Sequence, residues 1–521
     1  EAIYIRWAQI MRNEPALRFI PLSDGKQPLF MWVVIISQKF IKDPLIAGRL
    51  VSLFAGLVTM VGIFSSTLVL FSSKSKAGKK DGISFPAYLR SIFSPDNKKV
   101  LGVAIIASFV YAISPYTVFF DRMALVDSML CMFGVWTFVF SLIAFKFLRL
   151  DCAMLAGFSL GGAYLTKSPA LFFLISLPSN WILAKWPKKD RKKIIKFIKL
   201  SALTIVIAAM GLAMFNLLRL GPNFHLLSRR NLDYVHPISR FLEYPFDPMF
   251  VFLKKIFGYF WFLGPGSIIV AYIVSLISGI KRNFKQYLVL SAWSILPMIA
   301  VSEFSKTMTA RYVLFTLPYI IIISASGFLS DSKFIKKIMP VLIVVFSIQS
   351  LWINRLLLVD VSAAPLPQGE RAGYLEEWTS GTGIKDVSEY FKAYQDNNPE
   401  EKIVVGTEGY FGTLPDGLQA YLYDYPQITV IGIGTRIRQL PKDLYESKVY
   451  GNKTFLVINN SRLITDHNKL KLKLISSYPK ALRAEWTNEY KSLGPQEVLY
   501  MFEVTNDTVR IYEDMIKNEK N

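Results

Sequence analysis

Ten apolar stretches occupy most of the first 358 residues, and this pattern restricts the possible fold more than any other feature. About 20 consecutive apolar residues are enough to cross a bilayer as a helix. The predicted spans are 49–72, 100–120, 126–148, 152–166, 168–186, 200–218, 256–280, 286–302, 312–330 and 337–358. The composition, 52% apolar and only 19% charged, excludes disordered and disulfide-framework proteins and disfavours a purely soluble enzyme.

The net charge of +22 is distributed according to the membrane topology. Lys and Arg concentrate in the loops and turns at 73–99, 146–149, 185–199, 281–285 and 333–337. With ten spans, all of these segments fall on one side, which is the pattern of a cytoplasmic face. The excess charge therefore indicates a multi-pass protein of the inner (cytoplasmic) membrane in contact with lipid, and it disfavours nucleic acid as a partner.

The same count places the loops 1–48 and 219–255, and everything after 358, on the extracytoplasmic side. The segment 29–41 is too short to span and reads as an interfacial helix anchored by Trp32. If the natural amino terminus is cytoplasmic, one further span precedes Glu1, and the parent protein has eleven.

The composition changes to that of a soluble domain at residues 359–521. We predict two domains, a multi-span domain at 1–358 and an extracytoplasmic α/β domain at 359–521. The predicted strands of the second domain are 402–406, 428–433, 453–458 and 497–504, and its predicted helices are 384–396, 415–424 and 507–518.

Charged residues at span ends and in the outer loops form five clusters on the predicted outer side. They are Glu1 to Arg6, Asp24 to Leu29, Asp121 to Asp127, Thr166 to Ser168, and Glu303, Lys306, Arg311 and Tyr312. Such residues are either interface anchors or parts of a functional site. For Asp127 alone, a helix N-cap is the main structural alternative.

Together the clusters offer carboxylates, which suit a general base, and cations, which suit an anionic leaving group such as phosphate. Sugar nucleotides are scarce outside the cytoplasm, so a transferase working there needs a membrane-delivered donor. A sugar on a polyprenyl phosphate would leave as a phosphate, so one base and several cations would suffice.

The same clusters carry a resemblance to a known family. "EAIYIRWA", "DGKQPLFMW", "DRMALVDSML", "GGAYLTKSPAL" and "KTMTARYVLFTLP" resemble, in order, the motifs of C-type membrane glycosyltransferases. The match is to the family 39 and protein O-mannosyltransferase-like group, which includes the lipid A aminoarabinose transferases. "GPNFHLLSRRNLDYVHP" resembles the long outer loop of bacterial members, and the likeness covers about residues 1–330.

The resemblance implies the C-type glycosyltransferase fold and a role for each matching residue. Glu1 would support a catalytic Asp expected immediately before it, and Asp127 would bind the acceptor or orient that base. Lys26, Lys167 and Arg311 would hold the lipid phosphate, with Arg122 and Lys306 as secondary candidates. Asp24, Tyr312, Asp233 and Tyr234 complete the predicted substrate-binding set. Family members differ in their need for a divalent metal, and the sequence contains no dedicated metal cluster.

The predicted function is therefore an inverting glycosyltransferase with a polyprenyl-phosphate-linked sugar donor and a protein, lipid or glycan acceptor. A lipid A-type aminosugar transferase of the same fold stays open. A polyprenyl-lipid transporter or flippase is the alternative from another class, but it would favour mid-span charges and repeated halves. A membrane anchor for the carboxyl-terminal domain would need one span rather than ten.

Overall fold

The structure, a computed structural model, describes residues 1–72 and 94–520. Its residues form two compact units. The membrane unit comprises Met11–Ser37 and Gly48–Pro367, and the tail unit comprises Glu1–Ile10, Gln38–Ala47 and Gln368–Asn521. Most of the predicted basic loop, residues 73–93, lies outside the described residues.

Helices dominate the first 359 residues. They are α1 (Ala2–Asn13), α2 (Leu29–Ser37), α3 (Pro44–Phe71), α4 (Lys98–Ile113), α5 (Pro115–Asp121), α6 (Val126–Phe147), α7 (Leu150–Thr166), α8 (Leu171–Ser176), α9 (Asp190–Phe215), α10 (Leu226–Tyr234), α11 (Arg240–Glu243), α12 (Met249–Phe262), α13 (Gly266–Phe304), α14 (Leu317–Ser326) and α15 (Lys333–Val359). Short 3₁₀ turns extend several of them, including Ser168–Ala170, Leu177–Leu183 and Ala310–Thr316.

Within the described residues, six helices are long and apolar enough to cross a membrane, or up to seven if a bent pair counts as one span. The six are Pro44–Phe71, Val126–Phe147, Asp190–Leu220, Gly266–Phe304, Ala310–Leu329 and Lys333–Val359. The bent pair joins Pro95–Ile113 to Pro115–Asp121 at 56°. The chain is a multi-pass membrane protein, and the shorter apolar helices at 150–166 and 168–183 correspond to the predicted spans 152–166 and 168–186.

Helix α13 has 39 residues but is not straight. Asn283 has non-helical backbone angles, and the Tyr287 hydroxyl donates to the Ser275 carbonyl at 3.0 Å. In a straight helix these two residues would lie about 18 Å apart along the axis, so the chain must turn back at Asn283. The two arms match the predicted order of two spans with a basic turn between them. The predicted span 256–280 is wrong in its start, because α12 ends at Phe262 before Gly264 and Pro265.

Close packing of α7 against α9 determines the position of the carboxyl-terminal end of α7. A Cβ added to Gly157 would lie 2.7 Å from the Met210 Cβ, and one added to Gly161 would lie 2.3 Å from the Met214 sulfur. Small residues four apart let two membrane helices approach closely. This contact holds Thr166, and therefore Lys167 directly after it, in a defined place.

The tail unit contains a five-stranded mixed sheet with the strand order β2-β1-β3-β5-β4. The strands are β1 (Ile403–Thr407), β2 (Ile428–Gly432), β3 (Lys453–Asn459), β4 (Lys473–Leu482) and β5 (Gln496–Glu503). The helices are α16 (Gln368–Arg371), α17 (Ile384–Asn397), α18 (Thr413–Tyr421), α19 (Lys442–Val449), α20 (Asn488–Leu493) and α21 (Asn506–Lys520). Strands β1, β2 and β3 are parallel, and β5 and β4 extend the sheet antiparallel.

Both faces of this sheet are covered by helices. Phe391 of α17 and Leu418 of α18 pack with Val405 on one face, whereas Leu444 of α19 and Tyr512 of α21 belong to the core of the other. Parallel strands buried on both faces read as continuous apolar runs, which is why β1 and β3 were visible in the sequence. The α/β prediction for this domain is confirmed.

Candidate functional site

Several predicted site residues lie at one end of the membrane unit. Asp127 is the second residue of α6, Lys167 follows the last residue of α7, and Arg311 and Tyr312 lie in the 3₁₀ turn before α14. We call this the site end. The basic turns lie at the opposite end, where Arg282 pairs with Asp331 at 3.0 Å and Lys146 donates to the Val69 carbonyl at 3.0 Å.

The innermost contact of the site is an ion pair between helices α6 and α7. The Lys167 ammonium lies 2.5 Å from Oδ1 of Asp127 and 4.9 Å from the centre of the Tyr312 ring. Asp127 is 2% exposed, and its Oδ2 has no hydrogen-bond partner among the described residues. The guanidinium of Arg311 lies 5.8 Å from the same tyrosine ring. Two cations, one ring and one half-satisfied carboxylate thus converge here.

The N-cap alternative for Asp127 is wrong. The N-cap of α6 is Leu125, with extended backbone angles, and it makes no side-chain capping bond. Asp127 lies two residues further along, in the first turn of the helix, and its carboxylate contacts Lys167. The negative charge of Asp127 is therefore paired with the Lys167 ammonium, and its side chain does not cap the helix.

A second cluster is organised by Arg230 on α10. Its guanidinium contacts Asp24 at 3.4 Å, Asp233 at 2.8 Å and the Tyr234 hydroxyl at 3.2 Å. Lys26 pairs with the same Asp24 carboxylate. Four of the predicted residues therefore meet around one arginine that the prediction did not include. The contacts of Arg230 with Asp233 and Tyr234 could have been predicted from the sequence, because residues three and four apart on a helix share a face.

Ser168 joins the two clusters. Its hydroxyl accepts from the Gln27 amide at 3.0 Å and donates to Oδ1 of Asn231 at 3.3 Å. Gln27 follows Lys26, Ser168 follows Lys167, and Asn231 follows Arg230 in the chain. One serine thereby ties the three segments that carry the cations.

Gly25 allows α10 to approach the segment before α2. Its φ is +61°, and an added Cβ would lie 2.3 Å from the Cβ of Arg230. A left-handed backbone and this close approach both favour glycine. Any side chain at position 25 would push Arg230 away from Asp24.

Lys306 donates hydrogen bonds to backbone carbonyls of the loop around it. Its ammonium donates to the Leu232 carbonyl at 2.6 Å, and its backbone amide donates to the Tyr234 carbonyl at 2.8 Å. Partial burial, together with the cations Arg240 and Lys306, lowers the pKa of His236 in the same loop. The imidazole is therefore neutral at pH 7 and adds no charge beside the site.

The contacts of Arg122, another predicted residue, include helix α15. Arg122 donates to the Leu357 carbonyl at 2.6 Å and lies 5.7 Å from the Phe119 ring centre, so its guanidinium contacts the end of α15. Glu1 belongs to the tail unit. Glu303 was outside the predicted set but is 6% exposed, and its Oε2 has no hydrogen-bond partner among the described residues.

Residues that could hold a metal ion are not grouped anywhere in the described part of the chain. The site is therefore built from lysine, arginine, tyrosine and carboxylates. Lys and Arg bind phosphate through charge-assisted hydrogen bonds, and an ionised carboxylate accepts a proton or orients a hydroxyl donor.

A solved structure of similar fold is that of ArnT from Cupriavidus metallidurans bound to undecaprenyl phosphate. It is 13% identical, covers 96% of this chain and 93% of that chain, and has a TM-score of 0.51. The apo form of the same protein matches with 12% identity, 96% and 92% coverage and a TM-score of 0.49. The oligosaccharyltransferase AglB from Archaeoglobus fulgidus, in complex with an inhibitory peptide and a dolichol-phosphate, matches with 12% identity, 84% and 61% coverage and a TM-score of 0.41. These last two likenesses are too low to support an argument.

No family model matches the chain, and neither does any curated protein. The fold is that of the C-type glycosyltransferases. The likeness to undecaprenyl phosphate-bound ArnT covers nearly all of both chains, and the α/β tail follows a multi-span helical region as predicted. At 13% identity the likeness shows the fold alone.

Proposed function

We propose that this chain is an inverting glycosyltransferase that moves a sugar from a polyprenyl-phosphate donor to an acceptor at the outer face of the cytoplasmic membrane. The observation that carries the proposal is the convergence of Lys167, Arg311 and Asp127 around Tyr312 at one end of the membrane unit. The opposite end holds the basic turns, and the positive-inside pattern therefore supports an extracytoplasmic site.

The assigned roles follow the chemistry of the reaction. An acceptor hydroxyl or amine attacks C1 of the sugar, its proton passes to a carboxylate base, and the C1–O bond to phosphate breaks. The polyprenyl phosphate leaves with the bonding electrons as an anion, which Lys167 and Arg311 stabilise, with Lys26 supporting it from the Asp24 cluster. Asp127 holds Lys167 and orients either the acceptor or the carboxylate base. Glu1 supports that carboxylate base.

The similar fold of ArnT supports a lipid-phosphate ligand, since that protein was solved with undecaprenyl phosphate bound. The choice of sugar is open among hexoses and pentoses. The acceptor in this class of reaction is a protein, a lipid or a glycan.

The test uses the full chain in lipid nanodiscs, with undecaprenyl phosphate and its phosphate-free analogue undecaprenol as probes. We expect Lys167→Gln and Arg311→Gln each to weaken phosphate-lipid binding by about 10- to 150-fold, the equivalent of roughly 1.5–3 kcal/mol for a charge-assisted contact. Arg149→Gln, which removes an arginine at the opposite end, is the matched control and should bind as wild type. Equal binding of undecaprenol and undecaprenyl phosphate would overturn the proposal.

Cleavage of the donor, with water as the acceptor, is tested with radiolabelled glucosyl, mannosyl and arabinosyl polyprenyl phosphates. We expect at least one of them to release polyprenyl phosphate in the presence of the wild-type chain, and the release should be lost in the Lys167 and Arg311 variants. Release at the same rate in both variants would assign the hydrolysis to a contaminant and would contradict the proposed function.

A further inference from the structure

The tail unit contains a polar cleft of about 310 Å³ that is separate from the charged site described above. Its walls come from Gln9 of α1, the segment 42–44, α17 and the chain at 420–425 that ends α18. The volume is at the lower end of the range for small-ligand pockets. All of its lining residues belong to one compact unit.

Hydrogen bonds and ion pairs hold the walls of the cleft in place. The Gln9 amide donates to the Ala420 carbonyl at 2.9 Å, which fixes α1 against α18. Lys385 of α17 pairs with Asp43 at 3.2 Å, and Asp43 also accepts the Leu45 amide at 2.9 Å. Three contacts thus hold the walls of the cleft.

The charges that line the cleft are balanced. The three cations are Lys42, Lys385 and Lys392, and the three carboxylates are Asp43, Glu389 and Asp424. A polyanion would find a carboxylate for every lysine, so the cleft does not favour one. An apolar peptide side chain would find only Pro44 and Ala420 as small apolar contacts.

Three tyrosines complete the lining, and one of them has an unsatisfied hydroxyl. They are Tyr421, Tyr423 and Tyr425. The Tyr423 ring is held by Arg6, whose guanidinium lies 5.6 Å from the ring centre, but its buried hydroxyl has no hydrogen-bond partner among the described residues. A buried polar atom without a partner in the chain calls for a ligand or water group to satisfy it.

We infer that this cleft binds a neutral saccharide, and that it holds the acceptor of the proposed transfer. Sugar hydroxyls both donate and accept hydrogen bonds, so they match a surface that offers carboxylates and ammonium groups in equal number. The C–H faces of sugar rings pack against tyrosine rings, and the Tyr423 hydroxyl gains its missing partner. The acceptor part of this inference rests on the proposed function, and the saccharide binding does not.

Gln9 in the cleft wall and the predicted catalytic residue Glu1 belong to the same compact unit. Glu1 directly precedes α1, and Gln9 in the cleft wall lies eight residues later, which is about 12 Å along a helix. A single sugar in the cleft would not reach Glu1. The acceptor is therefore a short oligosaccharide, with one end in the cleft and the other end near the start of α1.

The test measures saccharide binding to the full chain in nanodiscs by saturation-transfer NMR. The neutral probes are mannotetraose, maltotetraose and chitotetraose, and the anionic probe is tetragalacturonic acid. Wild type is expected to bind at least one neutral probe more tightly than the anionic one. Tyr423→Phe keeps the ring and should weaken that binding by roughly 2- to 10-fold, as expected for one neutral hydrogen bond.

Two further variants keep the inference testable if Tyr423→Phe folds poorly. Asp424→Lys changes an exposed residue and should shift the preference towards tetragalacturonic acid. Tyr450→Phe removes a hydroxyl from a tyrosine that is 83% exposed elsewhere in the tail unit, and it should bind the probes as wild type. Failure of wild type to bind any neutral probe, tighter binding of the anionic probe, or equal effects of Tyr423→Phe and Tyr450→Phe would each overturn the inference.

Undecaprenyl phosphate binding by the same variants separates this inference from the proposed function. We expect Tyr423→Phe and Asp424→Lys to bind the phosphate lipid as wild type does. If wild type binds the neutral saccharide but not the phosphate lipid, the proposed function fails and the saccharide site stands. If it binds the phosphate lipid alone, the saccharide site fails and the proposed function stands.

Discussion

Arg483 in the tail unit and Lys167 in the membrane unit are both cations paired with buried carboxylates, yet their surroundings differ. The Arg483 side chain is 0% exposed and donates to Glu377 at 2.8 and 3.2 Å, to Glu497 at 2.5 Å and to the Gly494 carbonyl at 3.1 Å. Lys167 is 23% exposed at its side chain, and the carboxylate it contacts has one oxygen without a partner.

The difference is the one expected between a structural ion pair and the ion pair of the proposed site. A buried pair stabilises a fold only when every donor and acceptor is satisfied, which is the case around Arg483. The group at Lys167 leaves hydrogen-bonding capacity unused and keeps part of the cation accessible, as a ligand-binding group requires. Burial of the carboxylate alone would not have distinguished the two pairs, because the side chains of Asp127 and Glu497 are 2% and 0% exposed.

The largest expected effect comes from removing the charge of the half-satisfied carboxylate. Asp127→Asn keeps the shape and can still accept from Lys167, but it loses the charge that acts on the acceptor or the base. Turnover should fall by about 10²- to 10⁴-fold while undecaprenyl phosphate binding changes little, as measured by transfer kinetics beside equilibrium binding. Asp151→Asn, at the opposite end, should leave both unchanged. Near-wild-type turnover of Asp127→Asn would remove this residue from the site.

Breaking the fully hydrogen-bonded ion pair at Arg483 should lower the stability of the tail unit. Arg483→Gln leaves the buried Glu497 and the partly buried Glu377 without their cation, and the free energy of unfolding of the tail unit should fall by about 3–5 kcal/mol. A urea titration followed by ¹⁹F NMR of Trp378 in 5-fluorotryptophan-labelled protein measures this. Arg510→Gln removes an exposed arginine of the same unit and should change it by less than about 0.5 kcal/mol. If Arg483→Gln also lowered the free energy of unfolding by less than about 0.5 kcal/mol, the ion pair at Arg483 would not be structural.

Lys480, beside Arg483, provides a pH test of the same cluster. Burial lowers its pKa to about 8, although Glu497, Glu408 and Glu377 oppose the shift. Between pH 8 and its ordinary pKa of 10.5 the unfolded chain holds a proton that the folded chain has lost, so stability rises with pH. Over this window wild type should gain up to about 3 kcal/mol relative to Lys480→Met in the same urea titration. A difference that does not vary with pH would contradict the depressed pKa.

The smallest expected effects compare two lysines of the membrane unit. Lys26 belongs to the Asp24 cluster, whereas the Lys306 ammonium is used by the Leu232 carbonyl. Because Asp24 already neutralises part of its charge, Lys26→Gln should weaken undecaprenyl phosphate binding by about 10-fold, the low end for a phosphate contact. Lys306→Gln should weaken it by less than about threefold. The reverse order would place the phosphate nearer to the 303–312 segment than to Asp24.

Much of the fold could be predicted because membrane spans and buried strands are marked by local hydropathy. The order of apolar helices, the basic turns and strands β1, β2, β3 and β5 were all visible in the sequence. Strand β4 was missed, since Lys473–Leu482 is an edge strand that is largely exposed, contains Pro479 and has two register shifts. Such a strand carries no continuous apolar run.

The candidate site was only partly predictable. Motif spacing indicated Asp127, Lys167, Arg311 and Tyr312, and the structure brings these four together. Arg230 was missed because its contacts with Asp24 depend on how a loop helix packs, and that packing depends on Gly25. Arg122 and Lys306 were expected to face a phosphate, but the carbonyls they contact belong to segments distant in sequence, which no local pattern reveals.

The tail unit is assembled from segments that are far apart in the chain, and this determines when its contacts can form during synthesis. Its first pieces, residues 1–10 and 38–47, leave the ribosome long before their partners at 368–521 exist. At 5–20 residues per second, the 321 residues from 47 to 368 take roughly 16 to 64 s to synthesise. During that interval Arg6 and Gln9 lack Gln419 and Ala420, to which they bond in the finished chain. The helix that starts beside Glu1 therefore gains these bonds only after residues 419 and 420 have been made, so a ribosome that stalls before residue 419 leaves that helix without its support.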